Sequence, residues 1–261
     1  MLYFGLTNVL FLVRYALVSA QGMRRQFYYV VLLALFLFSA FRYQVGCDWA
    51  GYYYQYLAAG IIDWSFISGS RDPLWWAILG WIRDAGLSYP VANVVSSAVF
   101  FFGVHVLARR QPDPLGFLVL LLPILIINMP MSGIRQGAAI GLICVAFAAF
   151  IDRRPIWLAV WVILAAGFHA SALVFLLLLP LATGRYTRQR LAMAVVLGVP
   201  GAILLASGES AEIASSRYIG TGIEAFGAVF RVGLLGLSAL YFYFFVRRKW
   251  MRTFPHDYSL A

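Results

Sequence analysis

Charge is what this sequence has least of. Only 11% of its 261 residues are Asp, Glu, Lys or Arg, where soluble domains carry about 25%. A water-soluble globule of this size needs more polar surface, so an aqueous enzyme is excluded. Lysine is nearly missing, Lys249 being the single one among 20 basic residues. Cysteine occurs twice, at Cys47 and Cys144, far apart and without CxxC or metal-ligand spacing, so neither a disulfide framework nor a zinc site is expected. No basic stretch is long or aromatic-interleaved enough for a nucleic-acid groove, and no nucleic-acid partner is expected. No GxGxxG, P-loop, HExxH or GxSxG stands in a supporting context. Soluble linkers, low-complexity tracts and internal repeats are also missing, so residues 1–261 read as a single membrane-embedded domain.

What fills the chain is apolar: 63% of residues are hydrophobic and 17% aromatic. A spanning helix needs roughly 20 apolar residues, and the runs predict spans at 2–20, 27–43, 91–108, 115–130, 134–151, 191–206 and 227–246. Two stretches depart from that scheme. Residues 72–83 are short and Trp-rich, as expected of a segment lying in the interface or dipping in and out on one side. Residues 155–183 are too long for one upright span and carry Gly167 and His169 midway, which suits two half-length helices, 155–168 and 170–183, meeting at a polar turn. The fold class is therefore all-α: a polytopic membrane protein with about seven full spans, an outer-side dip and a two-half-helix hairpin. The first segment lacks a positive n-region, contains Arg14 and ends at Arg24-Arg25, so it reads as a retained helix with its N-terminus outside.

The net charge of +10 orients this arrangement. With the dip and the hairpin in place, Arg24, Arg25, Arg109, Arg110, Arg153, Arg154, Arg185, Arg188, Arg190, Arg247, Arg248, Lys249 and Arg252 all fall in cytoplasmic turns, as the positive-inside bias requires. Single spans at both places would push Arg109, Arg110, Arg153 and Arg154 outside. The remaining polar residues then gather on the outer face, and the chemistry with them.

Five outer-side features carry that chemistry. After Arg42, the stretch Val45-Gly46-Cys47-Asp48 leads into Tyr52, Tyr53, Tyr54 and Tyr56: aromatic faces suited to sugar rings, and a carboxylate placed to take a proton from an attacking hydroxyl. An aromatic belt with a solvated Asp is the plainer alternative. Arg71-Asp72-Pro73 opens the Trp-rich segment, with Asp72 suited to capping that helix. Pro130 breaks one helix and Ser132 is a natural N-cap for the next, whose first turn holds Arg135 and Gln136. Free N–H groups beside an Arg make an anion site suited to phosphate, unless the Arg merely snorkels. His169 stands within an apolar stretch where a lone ionisable group is functional by default, although a structural histidine satisfied by a carbonyl is common. Arg217-Tyr218 adds a cation and an aromatic in the 207–226 loop; Glu209, Glu212 and Glu224 there read as solvated charges.

Together these elements resemble the EpsG family of exopolysaccharide polymerases, related in role to the Wzy O-antigen polymerases. The resemblance rests on Val45-Gly46-x-Asp48 with its tyrosines, Arg71-Asp72-Pro73, Ile134-Arg135-Gln136-Gly137-Ala138 and Phe168-His169-Ala170-Ser171-Ala172-Leu173, and covers roughly residues 40–180. It implies a multi-pass protein of the bacterial inner membrane that joins oligosaccharide units carried on undecaprenyl pyrophosphate, at the outer face, alongside other polysaccharide assembly proteins. On that reading Asp48 or His169 deprotonates the acceptor, Arg135, Arg42 and Arg217 stabilise the departing pyrophosphate, and Arg71, Asp72, Gln136, Tyr52 and Tyr53 bind substrate. No cofactor or metal is required, since Arg carries the charge. The Asp-Tyr and acidic-Pro elements also resemble GT-C glycosyltransferases, which use polyprenyl-linked donors and leave room for a divalent cation at Asp48. A non-enzymatic transporter of lipid-linked sugars is the rival class; it calls for polar access on both sides and often for repeated halves, and neither is visible.

Overall fold

The computed structural model describes residues 2–46, 48–183, 187–206 and 226–253, and every regular element among them is helical. Among the described residues, three helices are long and apolar enough to cross a membrane: α2 (Gln21–Ala40), α6 (Pro90–Ala108) and α8 (Ile134–Ile151). They coincide with three of the seven expected spans. The other four regions are also helical. They appear as α1 (Leu2–Ala16), α7 (Pro114–Leu121) continued by a π-turn at Leu122–Ile126, α10 (Arg188–Ala206) and α11 (Phe226–Tyr241). Shorter elements are α3 (Trp49–Ala58), α4 (Trp64–Gly69), α5 (Pro73–Asp84), α9 (Pro155–Phe168), a 3-10 helix (Ala170–Leu181) and a terminal α12 (Arg247–Thr253). Cys47, Arg185 and residues 207–225, with Arg217, Glu209, Glu212 and Glu224, lie outside the described residues.

The central contact is α6 against α8, and small residues make it. A Cβ on Gly103 would overlap the Gly141 carbonyl, and a Cβ on Gly141 would sit 2.6 Å from Phe100 Cα. The two backbones therefore touch, which in a bilayer replaces the hydrophobic drive that lipid cannot supply. Outward-facing positions on α2 (Val30, Leu33, Phe38) and α9 (Ile156, Ile163) are exposed and apolar, as lipid contact demands.

The hairpin reading of 155–183 agrees with the chain path. The α9 helix ends at Phe168 and His169 adopts an extended backbone, φ −156° and ψ 111°. The chain then returns as a 3-10 helix until Ala182 packs beside Leu158, Val162 and Phe150. The 3-10 form rises about 2.0 Å per residue, so this short segment retraces the length of α9.

The Trp-rich segment packs one face into the protein. Its apolar positions Trp75, Leu79 and Ile82 recur at helical spacing, and all three are fully buried. Trp75 Nε1 donates to Gln55 Oε1 at 2.8 Å. One face of α5 is therefore core, and Trp81 is exposed on the opposite one.

Because helices alternate direction, residues distant in sequence gather at two ends. At one end the starts of α2 and α9 and the ends of α6 and α8 bring together Arg24, Arg25, Arg109, Arg110, Arg153 and Arg154. Asp113 clasps both Arg14 (2.6 Å) and Arg24 there, and Arg110 pairs with Asp152 at 2.6 Å. At the other end stand Arg42, Asp72, Arg135 and His169.

Candidate functional site

Two glycines bring the site's loops together. Gly46 has φ +112°, which favours glycine, and a Cβ there would collide with the Met131 carbonyl. The segment after α2 thus lies directly on the loop that leads into α8. Gly167 does the same for α5 and α9, since a Cβ on it would stand 2.6 Å from Leu74. That close approach sets the first turn of α5 against the hairpin turn.

Asp72 occupies the resulting junction. It sits at the N-cap position of α5, yet its side chain makes no capping hydrogen bond; the expected capping role is replaced by longer-range partners. Arg135 Nη1 donates to Asp72 Oδ2 at 2.6 Å, and the Ala170 N–H donates to Oδ1 at 3.0 Å. His169 Nδ1 lies 4.0 Å from the same Oδ1. The carboxylate is buried, so its charge needs these partners. The cap at α8 also differs from expectation: the N-cap is Gly133 instead of Ser132 and offers no side-chain cap.

Around this pair the expected residues divide. Tyr52 is buried under the Arg135 guanidinium, 5.7 Å from ring centroid to Cζ, and is braced edge-to-face by Trp75. Gln136 Nε2 stands 3.5 Å from His169 Nε2. The 4.0 Å to Asp72 is beyond a hydrogen bond and His169 Nδ1 is buried with no hydrogen-bond partner among the described residues; in the tautomer that carries the proton on Nδ1, Nε2 offers its lone pair to Gln136 or to an incoming hydroxyl. His169 and Gln136 open onto an apolar groove of about 210 Å³ with walls of Met129, Ile140, Ile143 and Phe175.

Arg42 and Tyr53 belong to a neighbouring cavity of about 410 Å³. Tyr52 is an electrostatic neighbour of Arg42 as well as of Arg135. Asp48 is exposed at the start of α3, and its carboxylate caps nothing. Arg71 is exposed beside the buried Asp72. Among the described residues, no group of three or more His, Cys, Asp or Glu gathers that would hold a metal ion.

Sequence reasoning missed Asn93, Tyr89, Arg83 and Gln55. One signal was visible: Asn93, Ser96 and Ser97 recur at i, i+3, i+4 on α6, and all three are buried. Ser97 bonds Ser39 at 2.8 Å and Asn93 accepts from Arg42, so a polar stripe in an apolar helix marks what packs beside the site.

The profile of the EpsG family matches residues 25–259, a range that takes in Arg42, Asp72, Arg135, Gln136 and His169. The chain is also 29% identical over 122 residues to the EPS I polysaccharide export inner membrane protein EpsF of Ralstonia solanacearum, a stretch covering 42% of this chain and 27% of that protein. No solved structure matches. With nine-tenths of its length inside one family profile and the helical membrane character that its composition demands, the chain belongs to the EpsG family.

Proposed function

We propose that this protein polymerises lipid-linked oligosaccharide units by glycosyl transfer at the outer face of a bacterial inner membrane. The observation that carries the reading is the junction at Asp72, where one buried carboxylate holds Arg135 and faces His169. The acceptor hydroxyl gives its proton to His169 Nε2 while its oxygen attacks the anomeric carbon of the donor. A new glycosidic C–O bond forms as the C–O bond to the diphosphate breaks, and the electron pair leaves with the undecaprenyl diphosphate. Asp72 stabilises the imidazolium, as the carboxylate of a catalytic triad does. Arg135, the Gln136 amide and the uncapped first turn of α8 face the leaving group and stabilise its growing charge.

On this reading the apolar groove beside His169 receives the polyprenyl chain, and the diphosphate meets Gln136. The basic end of the bundle faces the cytoplasm on this reading, by the positive-inside bias. The family match and the polysaccharide export name of the Ralstonia relative agree with a role in exopolysaccharide assembly. Purified protein in vesicles, supplied with lipid-linked repeat units, tests the proposal. Chain extension is the expected result; translocation of the units without extension would assign the protein to transport instead.

A further inference from the structure

The cavity holding Arg42 is chemically unlike the groove at His169. Arg42 is 7% exposed. Its Nη2 donates to Asn93 Oδ1 at 3.3 Å, while Nε and Nη1 are buried with no hydrogen-bond partner among the described residues. The Tyr89 hydroxyl faces the Arg42 guanidinium outside good hydrogen-bond geometry, a neutral neighbour that leaves the charge unbalanced. A second cation, Arg83, reaches the same cavity and lies over the Tyr56 ring, 5.1 Å from its centroid. Among the described lining residues there is no carboxylate. Two guanidinium groups thus share one cavity with no negative charge inside it.

Buried donors of a charged group are almost always satisfied, and each exception calls for an explanation. The walls supply one. Trp49 and Tyr53 lie stacked at 5.4 Å with planes 8° apart, and Tyr89 meets both edge-on. Aromatic faces take the C–H side of a pyranose ring, hydroxyl and amide groups take its oxygens, and a buried cation without a charged partner takes an anion. About 410 Å³ admits one or two sugar residues.

From this we infer that the Arg42 cavity is a saccharide subsite selective for a sugar bearing an acidic group, a carboxylate or a phosphate ester, separate from the diphosphate site at Arg135. The inference rests on the proposed glycosyl transfer for the subsite's purpose: it seats an acidic residue of the acceptor glycan.

Calorimetric titration of the full chain in detergent tests it without any turnover. The probes are trigalacturonate and its methyl ester, which differ in the carboxylate charges and the ester methyls, with galactose 6-phosphate against galactose as a second arm. Trigalacturonate is expected to bind at least about tenfold tighter than the ester, the scale of a charge-assisted hydrogen bond, and rising salt should erase the difference. If only the phosphate arm shows the preference, the acidic group is a phosphate ester. Arg42→Gln should abolish the preference. Arg83→Gln, at an exposed position that tolerates change, should weaken it several-fold and covers the case in which the Arg42 variant does not fold. Arg135→Ala should leave it intact. Equal affinity for acid and ester together with equal affinity for phosphorylated and plain galactose, absence of binding in both arms, or binding of inorganic phosphate as tight as that of the sugar acids would overturn the inference. Chain extension that survives loss of the preference would fault the subsite alone. A preference that survives with no chain extension would fault the polymerase reading alone.

Discussion

Asp72 and Arg135 stand 63 residues apart in the chain and share an ion pair of 2.6 Å. The same carboxylate accepts the Ala170 N–H, so a single side chain ties the start of α5 to the first turn of α8 and to the hairpin turn. Breaking such a pair from one side leaves a buried charge uncompensated, which is costlier than never having had the pair.

Arg135 has two tasks on this arrangement, holding Asp72 and stabilising the diphosphate. Arg135→Ala is expected to abolish polymer in cells while the protein still accumulates in the membrane. The rate loss should be about 100- to 1,000-fold, the usual effect of removing one preorganised donor. Arg135→Lys keeps the charge but loses the planar fork and should recover little. Polymer of normal length and amount from Arg135→Ala would reduce the residue to a snorkelling anchor.

The pairing also predicts non-additivity. Asp72→Asn and Arg135→Gln should each be severe, and the double variant should cost clearly less than their summed effects, because residues in one ion-pair network couple by about 0.5–3 kcal/mol. Chain-extension rates for the four proteins measure this directly. Strict additivity would show that the two side chains act independently.

These expectations show where local pattern suffices and where it fails. The break at His169 was legible because a 29-residue apolar stretch exceeds one span and the polar residue falls in its middle. Arg135 and Gln136 were legible as charged and polar groups opening an apolar run. Gly46 was legible as part of a motif, but its reason is the Met131 carbonyl, which no spacing predicts. Asp72 before Pro73 looks like a cap because capping is a local rule; its true partners come from α8 and from the hairpin. The burial of Trp75 was not legible, because the partner of its indole N–H, Gln55, comes from α3.

The α6–α8 contact predicts intolerance of side chains at two glycines. Gly103→Leu and Gly141→Leu should force the backbones apart, at a cost of at least the 1–3 kcal/mol typical of overpacking, about, and should lower membrane accumulation. Gly5→Leu, where a Cβ meets nothing within 4 Å, should be neutral. Quantified membrane levels decide the matter; normal levels of both α6–α8 variants would contradict the close packing.

At the opposite end the Asp113 clasp predicts a pH response. Burial pushes the Asp113 carboxyl up, but bonds from Arg24, the Gly116 N–H and Arg14 outweigh it and hold the group at about 2. A carboxyl depressed from its unfolded value of about 3.9 contributes stability that is fully present above that value and is lost as pH falls through the folded value. Wild type should therefore lose thermal stability relative to Asp113→Asn between pH 4 and about 2, and the two should differ by a constant amount from pH 5 to 7. A gap independent of pH down to 2 would remove the clasp from the stability of this end.

The base is the centre of the proposed chemistry, and two residues compete for it. His169 faces a buried carboxylate and opens onto the groove; Asp48 is exposed and caps nothing. The deciding measurement is the initial rate of chain extension by His169→Ala and by Asp48→Ala on the same lipid-linked units, with both proteins reconstituted at equal density. Loss of general base catalysis costs about 100- to 10,000-fold, and that loss is expected for His169→Ala, with Asp48→Ala falling less than about tenfold. The reverse order, a near-normal His169 variant and an inactive Asp48 variant, would contradict the assignment of the base and of Asp72 as its orienter.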